Sequence, residues 1–106
     1  MAKEIPQNYV LIIDDNEMNR EILADFLSSS YHIISAADGE DGIDVLKKHK
    51  EEIAIILLDL VMPKADGFDV LKVINRMHWN MDIPIVVISS DVTPENVSRA
   101  YKLGVQ

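Results

Sequence analysis

The chain has 106 residues, 48% of them hydrophobic and 26% charged, which is the balance of one ordinary globular domain and not of a disordered or fibrous chain. With 18 acidic against 10 basic residues the net charge is −8 and there is no Lys/Arg block, so the basic footprint of direct DNA or RNA binding is missing and a cation or basic partner surface fits better. Cysteine is absent, which removes disulfides, thiolate metal sites and a Cys nucleophile. The amino terminus MAKEIPQN has no signal pattern, and the longest apolar run, Ile53 to Leu58, is far too short to span a membrane, so a cytoplasmic protein without a membrane partner is expected.

In chain order, Tyr9 to Ile13 (YVLII) is strand-length and β-branched, and it runs directly into Asp14-Asp15. Met18, Ile22, Leu23, Phe26 and Leu27 follow at helical spacing, which predicts one shared apolar face, and Asn16 can cap that helix. The second strand is predicted over Tyr31 to Ala37, and its helix carries Ile43 and Leu46. Ile53 to Leu58 (IAIILL) is the third strand and ends at Asp59; Leu71, Ile74 and Met77 mark the helix after it. Pro84 to Ile88 is the fourth strand and leads into Ser89-Ser90-Asp91. The last helix opens with Thr93 as N-cap and Pro94 and Glu95 in its first turn, continues through Val97, Ala100 and Tyr101, and stops at Gly104. Strand and helix alternating in this way predict a single α/β domain with a doubly wound parallel sheet, its strands buried on both faces. In such a sheet chemistry collects beyond the carboxyl ends of the strands.

Asp14, Asp15 and Asp59 all fall at that edge. Any one of them alone reads as a turn residue or helix cap. Together they repel: two like charges 4 to 6 Å apart cost up to about 4 kcal/mol at an effective dielectric near 20. A hard divalent cation offsets that repulsion, and an all-oxygen site with room for water suits Mg²⁺; no histidine lies at these strand ends to suggest zinc. With the cation present, a carboxylate oxygen of Asp59 is a candidate nucleophile toward a phosphoryl group, and the Ser89 hydroxyl a candidate donor to its oxygens.

The segments LIIDDNEMNREIL, ILLDLVMPKADGFDVL and DIPIVVISSD, in this order and with helical spacers between them, resemble the receiver domain of bacterial two-component response regulators of the chemotaxis type, from about Tyr9 to the end of the chain. The resemblance implies a flavodoxin-like sheet of order 2-1-3-4 and phosphoryl transfer to Asp59 from a histidine kinase, a phosphotransfer protein or a small phosphodonor. It implies Mg²⁺ held by Asp15, Asp59 and the backbone carbonyl of Val61, with Asp14 assisting, and Ser89 as the switch hydroxyl that signals to a partner or output domain. Pro63 and Gly67 match the loop after the acceptor, and Ser90 a small residue that leaves room for the donor.

Three departures accompany the resemblance. Ala65 stands where the family often has Met. Val61 is apolar where some members carry a polar group that promotes hydrolysis, so a long-lived phosphoryl state is expected. Nothing matches the family's fifth strand, the Lys after it, or the last helix, so the domain reads as incomplete at its carboxyl end, with an apolar edge at Pro84 to Ile88 that invites a dimer, a segment swap or a partner. That gap keeps open a pseudo-receiver, an interaction module that is not phosphorylated. An Mg²⁺-dependent phosphohydrolase with an aspartyl nucleophile is the remaining alternative, weakened because Val61 occupies the place of its second carboxylate. A phosphoacceptor regulatory domain that assists only its own phosphorylation and dephosphorylation, not an enzyme, is the leading expectation. His32, His49 and His78 read as surface residues and Trp79 as partly buried.

Overall fold

The computed structural model describes residues 8–60, 67–88 and 94–102. Strands β1 (Tyr9–Ile13), β2 (His32–Ala36), β3 (Ile53–Leu58) and β4 (Ile85–Val87) alternate with helices α1 (Glu17–Leu27), α2 (Gly39–His49), α3 (Gly67–Arg76) and α4 (Pro94–Lys102). The strands form one parallel sheet in the order β2-β1-β3-β4, as expected from the sequence. β1 and β3 run over the predicted spans, while β2 and β4 are one residue shorter at each end. Among the described residues no helix is long and apolar enough to cross a membrane.

Local chemistry sets the helix starts. The Asn16 side chain accepts from the Asn19 N–H and Asp38 from the Asp41 N–H, each satisfying an otherwise unpaired amide at a helix N-terminus. Lys47, Lys48 and His49 sit in the last turn of α2, where positive charge complements the helix dipole. His49 pairs with Glu52 at 3.0 Å and is exposed, and His32 is exposed on β2 with its ring 5.1 Å from that of Tyr9, so both behave as the surface residues expected. His78 is exposed too, at φ 61°, in the turn that ends α3. The Thr93 cap and the Gly104 stop expected for α4 lie outside the described residues.

The core occupies one face of the sheet. Leu11, Ile13, Ile56 and Leu58 from the strands pack with Leu46 of α2 and with Phe68, Leu71 and Ile74 of α3. Trp79, in the short 3₁₀ turn Trp79–Met81, joins the same cluster as Ile83 and Ile85 at only 7% exposure, deeper than the partial burial its sequence context suggests.

The opposite face is covered unevenly. Ile12, Leu57 and Val86 share one register line across β1, β3 and β4. Ile12 is fully buried, Leu57 half-buried and Val86 37% exposed, so cover fades toward β4. Strands buried on both faces are thus found at the centre of the sheet, while β4 forms an edge of the described sheet, as the apolar edge expected at Pro84 to Ile88 implies.

Helix α1 accounts for the gradient. It packs on β1 and β2 through half-buried Leu23 and Leu27, whereas Met18, Ile22 and Phe26 are 68%, 56% and 83% exposed. The helical spacing correctly identifies neighbours along the helix, but a row is buried only where another element covers it. Met77 is likewise exposed, because α3 ends at Arg76 and the chain turns away.

Candidate functional site

Main-chain bonds pin the ends of β2, β1, β3 and β4 together. The Asp14 N–H donates to the Ala36 carbonyl at 3.1 Å, the Asp59 N–H to the Ile13 carbonyl at 2.9 Å, and the Ile88 N–H to the Leu58 carbonyl at 2.9 Å. Each bond extends a parallel ladder one residue past its strand, which fixes the backbone from which the acidic side chains project.

The carboxylates of Asp14, Asp15 and Asp59 converge, with one oxygen from each lying within 4.8 Å of the others. Asp14 is 3% exposed, Asp15 is exposed and Asp59 half-buried, so the cluster opens to solvent on one side. The buried carboxylate is held in place: Asp14 Oδ1 accepts from the Asn16 N–H at 2.9 Å and Oδ2 from the Asn19 side-chain amide at 3.4 Å. A pocket of about 220 Å³ beside it is lined by Asp14, Asn19, Ile22, Leu23 and Ile88.

Two supporting residues had escaped the sequence analysis. Asn19 reaches the Asp14 carboxylate, and Arg20 Nη1 donates to the Asp14 backbone carbonyl at 2.8 Å, bringing positive charge to the acidic loop. Both lie in the first turns of α1, whose side chains lean toward the helix N-terminus, and that geometric rule is the signal that could have found them. Gly67 supports the loop on its other side. Its N–H donates to the Leu60 carbonyl at 2.9 Å, and an added Cβ would press against the Asp59 carbonyl oxygen and fall 2.5 Å from Leu60 Cα. Val61 and Ser89, the remaining expected site residues, lie outside the described residues, as do Pro63, Ala65 and Ser90.

Three oxygen ligands from carboxylates, without His or Cys, suit a hard cation such as Mg²⁺ or Ca²⁺. A parallel α/β sheet carrying such a cluster at the carboxyl ends of its central strands narrows the comparison to one class. The profile of the response regulator receiver domain matches residues 10–106, and the chain belongs to that family. It is thus a receiver domain of the kind that serves phosphoacceptor signalling in two-component systems.

Response regulator RR06 of Streptococcus pneumoniae is 46% identical over 96 residues, which is 89% of this chain and 42% of that protein. The chain therefore spans less than half of that relative's length. A response regulator receiver protein from Pseudomonas putida superposes with a TM-score of 0.85 at 29% identity, covering 99% of this chain and 84% of that one. A chain of the CheX-CheY-BeF3-Mg²⁺ complex from Borrelia burgdorferi gives a TM-score of 0.80 at 32% identity over 93% of this chain and 74% of that one. None of these likenesses bears on a dimer or a segment exchange.

Proposed function

We propose that Asp59 is the phosphoacceptor of this receiver domain and that Asp14 and Asp15 hold Mg²⁺ with it. The convergence of three carboxylates within 4.8 Å at the ends of β1 and β3 carries this reading, because such a cluster is costly without a cation and well suited to one. Asp15 and Asp59 are the direct ligands, with the Val61 carbonyl as a third. Asp14, whose carboxylate accepts from the Asn16 N–H and the Asn19 amide, assists them in holding the ion. When bound, Mg²⁺ supplies positive charge against the negative charge that grows on the transferred phosphoryl oxygens.

One Asp59 carboxylate oxygen attacks phosphorus in line. The new P–O bond forms as the bond from phosphorus to the donor nitrogen breaks, and the electron pair leaves with that nitrogen, which takes up a proton. The Ser89 hydroxyl donates to the transferred phosphoryl group and reports its presence. A histidine kinase, a phosphotransfer protein or a small phosphoramidate is the donor, and the partner or output domain that reads the change is cytoplasmic. The chain is regulatory and acts on no other substrate. Val61, with no polar group to orient water, leaves the acyl phosphate long-lived.

The test is incubation of the chain with a small phosphoramidate and Mg²⁺, read by mass spectrometry. Addition of one phosphoryl group that hydroxylamine removes, and that is abolished by EDTA or by Asp59→Asn, is the expected result. A chain that stays unmodified while its circular dichroism shows it folded would sink the proposal and favour the pseudo-receiver reading.

A further inference from the structure

We propose that Arg20 is a positioning residue that holds Asp15 for a small divalent cation and so favours Mg²⁺ over Ca²⁺ at the acidic cluster. The inference rests on the cation reading of Asp14, Asp15 and Asp59 and adds its selectivity. Every polar group of Asp14 is engaged. Its N–H donates to the Ala36 carbonyl, its carboxylate accepts from the Asn16 N–H and the Asn19 amide, and its own carbonyl accepts from Arg20 Nη1 at 2.8 Å. Asp15 differs: it is exposed, and among the described residues its side chain has no hydrogen-bond or ion-pair partner. The placement of its carboxylate is therefore inherited from the main chain.

That main chain is held by Arg20. A peptide group is planar, so the carbonyl oxygen of Asp14 and the N–H of Asp15 turn together. Holding the oxygen stops the Asp14–Asp15 peptide from rocking, and with it the direction in which the Asp15 Cβ projects. Charge pairing does not account for the arrangement. Glu17 lies three residues before Arg20, a spacing suited to an ion pair across one helical turn, yet among the described residues Arg20 forms no ion pair; it is half-buried and donates to the carbonyl instead. A hydrogen bond from a charged donor is stronger than one between neutral groups, so this tie is a firm one. Its consequence differs between two ions. Mg²⁺ demands near-ideal octahedral geometry, whereas Ca²⁺ accepts looser arrangements and longer bonds, so freedom at Asp15 weakens the first more than the second.

The experiment titrates Mg²⁺ and, separately, Ca²⁺ at matched ionic strength into the wild-type chain, Arg20→Met, and Arg20→Met combined with Glu17→Gln, read by the amide NMR signals of Asp15 and Asn16. Beryllofluoride, a phosphoryl analogue, is omitted so that the cation alone is read. Met keeps an apolar stem and the helix propensity of Arg, and the second substitution restores the local net charge. Arg20→Met is expected to weaken Mg²⁺ binding about tenfold, the lower end of the effect of removing a group that orients a metal ligand, and Ca²⁺ binding by less than about threefold. The double variant should keep that loss of selectivity. Tighter Mg²⁺ binding in Arg20→Met, or a return to wild-type affinity in the double variant, would mean that Arg20 acts only through its charge. An equal loss for both ions, or no loss, would mean a merely structural contact, and any of these results overturns the proposal. A folded wild-type chain that binds neither ion would instead overturn the cation reading itself, so the two failures are told apart by the wild type alone.

Discussion

Gly67 shows how tightly the main chain of Asp59 and Leu60 is bounded at single-residue scale. Its hydrogen atom faces the main chain of Asp59 and Leu60, and main chain cannot rotate away as a flexible side chain can. Gly67→Ala should cost about 1 to 3 kcal/mol by overpacking, more than the helix propensity gained, and should weaken beryllofluoride binding because the loop itself is displaced. Urea denaturation and an NMR titration check the two effects. Gly42 is a contrasting case: an added Cβ there would lie 2.5 Å from Ile13 Cδ1, a side-chain atom that can move. Gly42→Ala should therefore destabilise less than Gly67→Ala, and Ile13→Val should recover part of the loss. The three Asp were legible in the sequence because chemistry at strand ends follows from the alternating pattern alone. Asn19 and Arg20 were not, because the lean of side chains toward a helix N-terminus points to them only once the start of α1 is placed beside the acidic strand end.

At the scale of elements, the spans of β1 and β3 could be read directly, since central parallel strands are continuous apolar runs with abrupt polar ends. The exposure of Met18, Ile22 and Phe26 could not, since spacing says which residues share a face but not what covers it. Stability should follow cover and not hydrophobicity. Phe26→Gln should change unfolding free energy by less than about 0.5 kcal/mol, while Leu46→Ala, at a fully buried position of α2, should cost about 2 to 5 kcal/mol. Asn16→Ala falls between them at about 1 kcal/mol, the value of a lost N-cap bond. Urea midpoints of the three variants give this order directly; a Phe26 substitution as costly as that of Leu46 would mean that α1 packs more closely in solution than it does here.

Across the whole molecule two electrostatic terms oppose folding, and they respond differently to salt. The net charge of −8 is spread over the surface, and any electrolyte screens it over a distance of about 10 Å near 0.1 M. The cluster of Asp14, Asp15 and Asp59 is local, with oxygens within 4.8 Å of one another, closer than that screening length. Added NaCl should therefore raise the melting temperature gradually and without saturation. Mg²⁺ at matched ionic strength should raise it further and saturate, because the proposed binding to the native cluster would stabilise the folded state by mass action. Asp15→Asn separates the terms: it lessens the local repulsion, so the Mg²⁺-free protein should melt slightly higher, and it removes a proposed ligand, so the saturating increment should largely vanish while the NaCl response persists. Equal responses to Mg²⁺ and NaCl at matched ionic strength would leave the cluster without a cation and would undermine the chemistry proposed for Asp59, since the phosphoryl group would then meet three carboxylates without the positive charge of a bound ion.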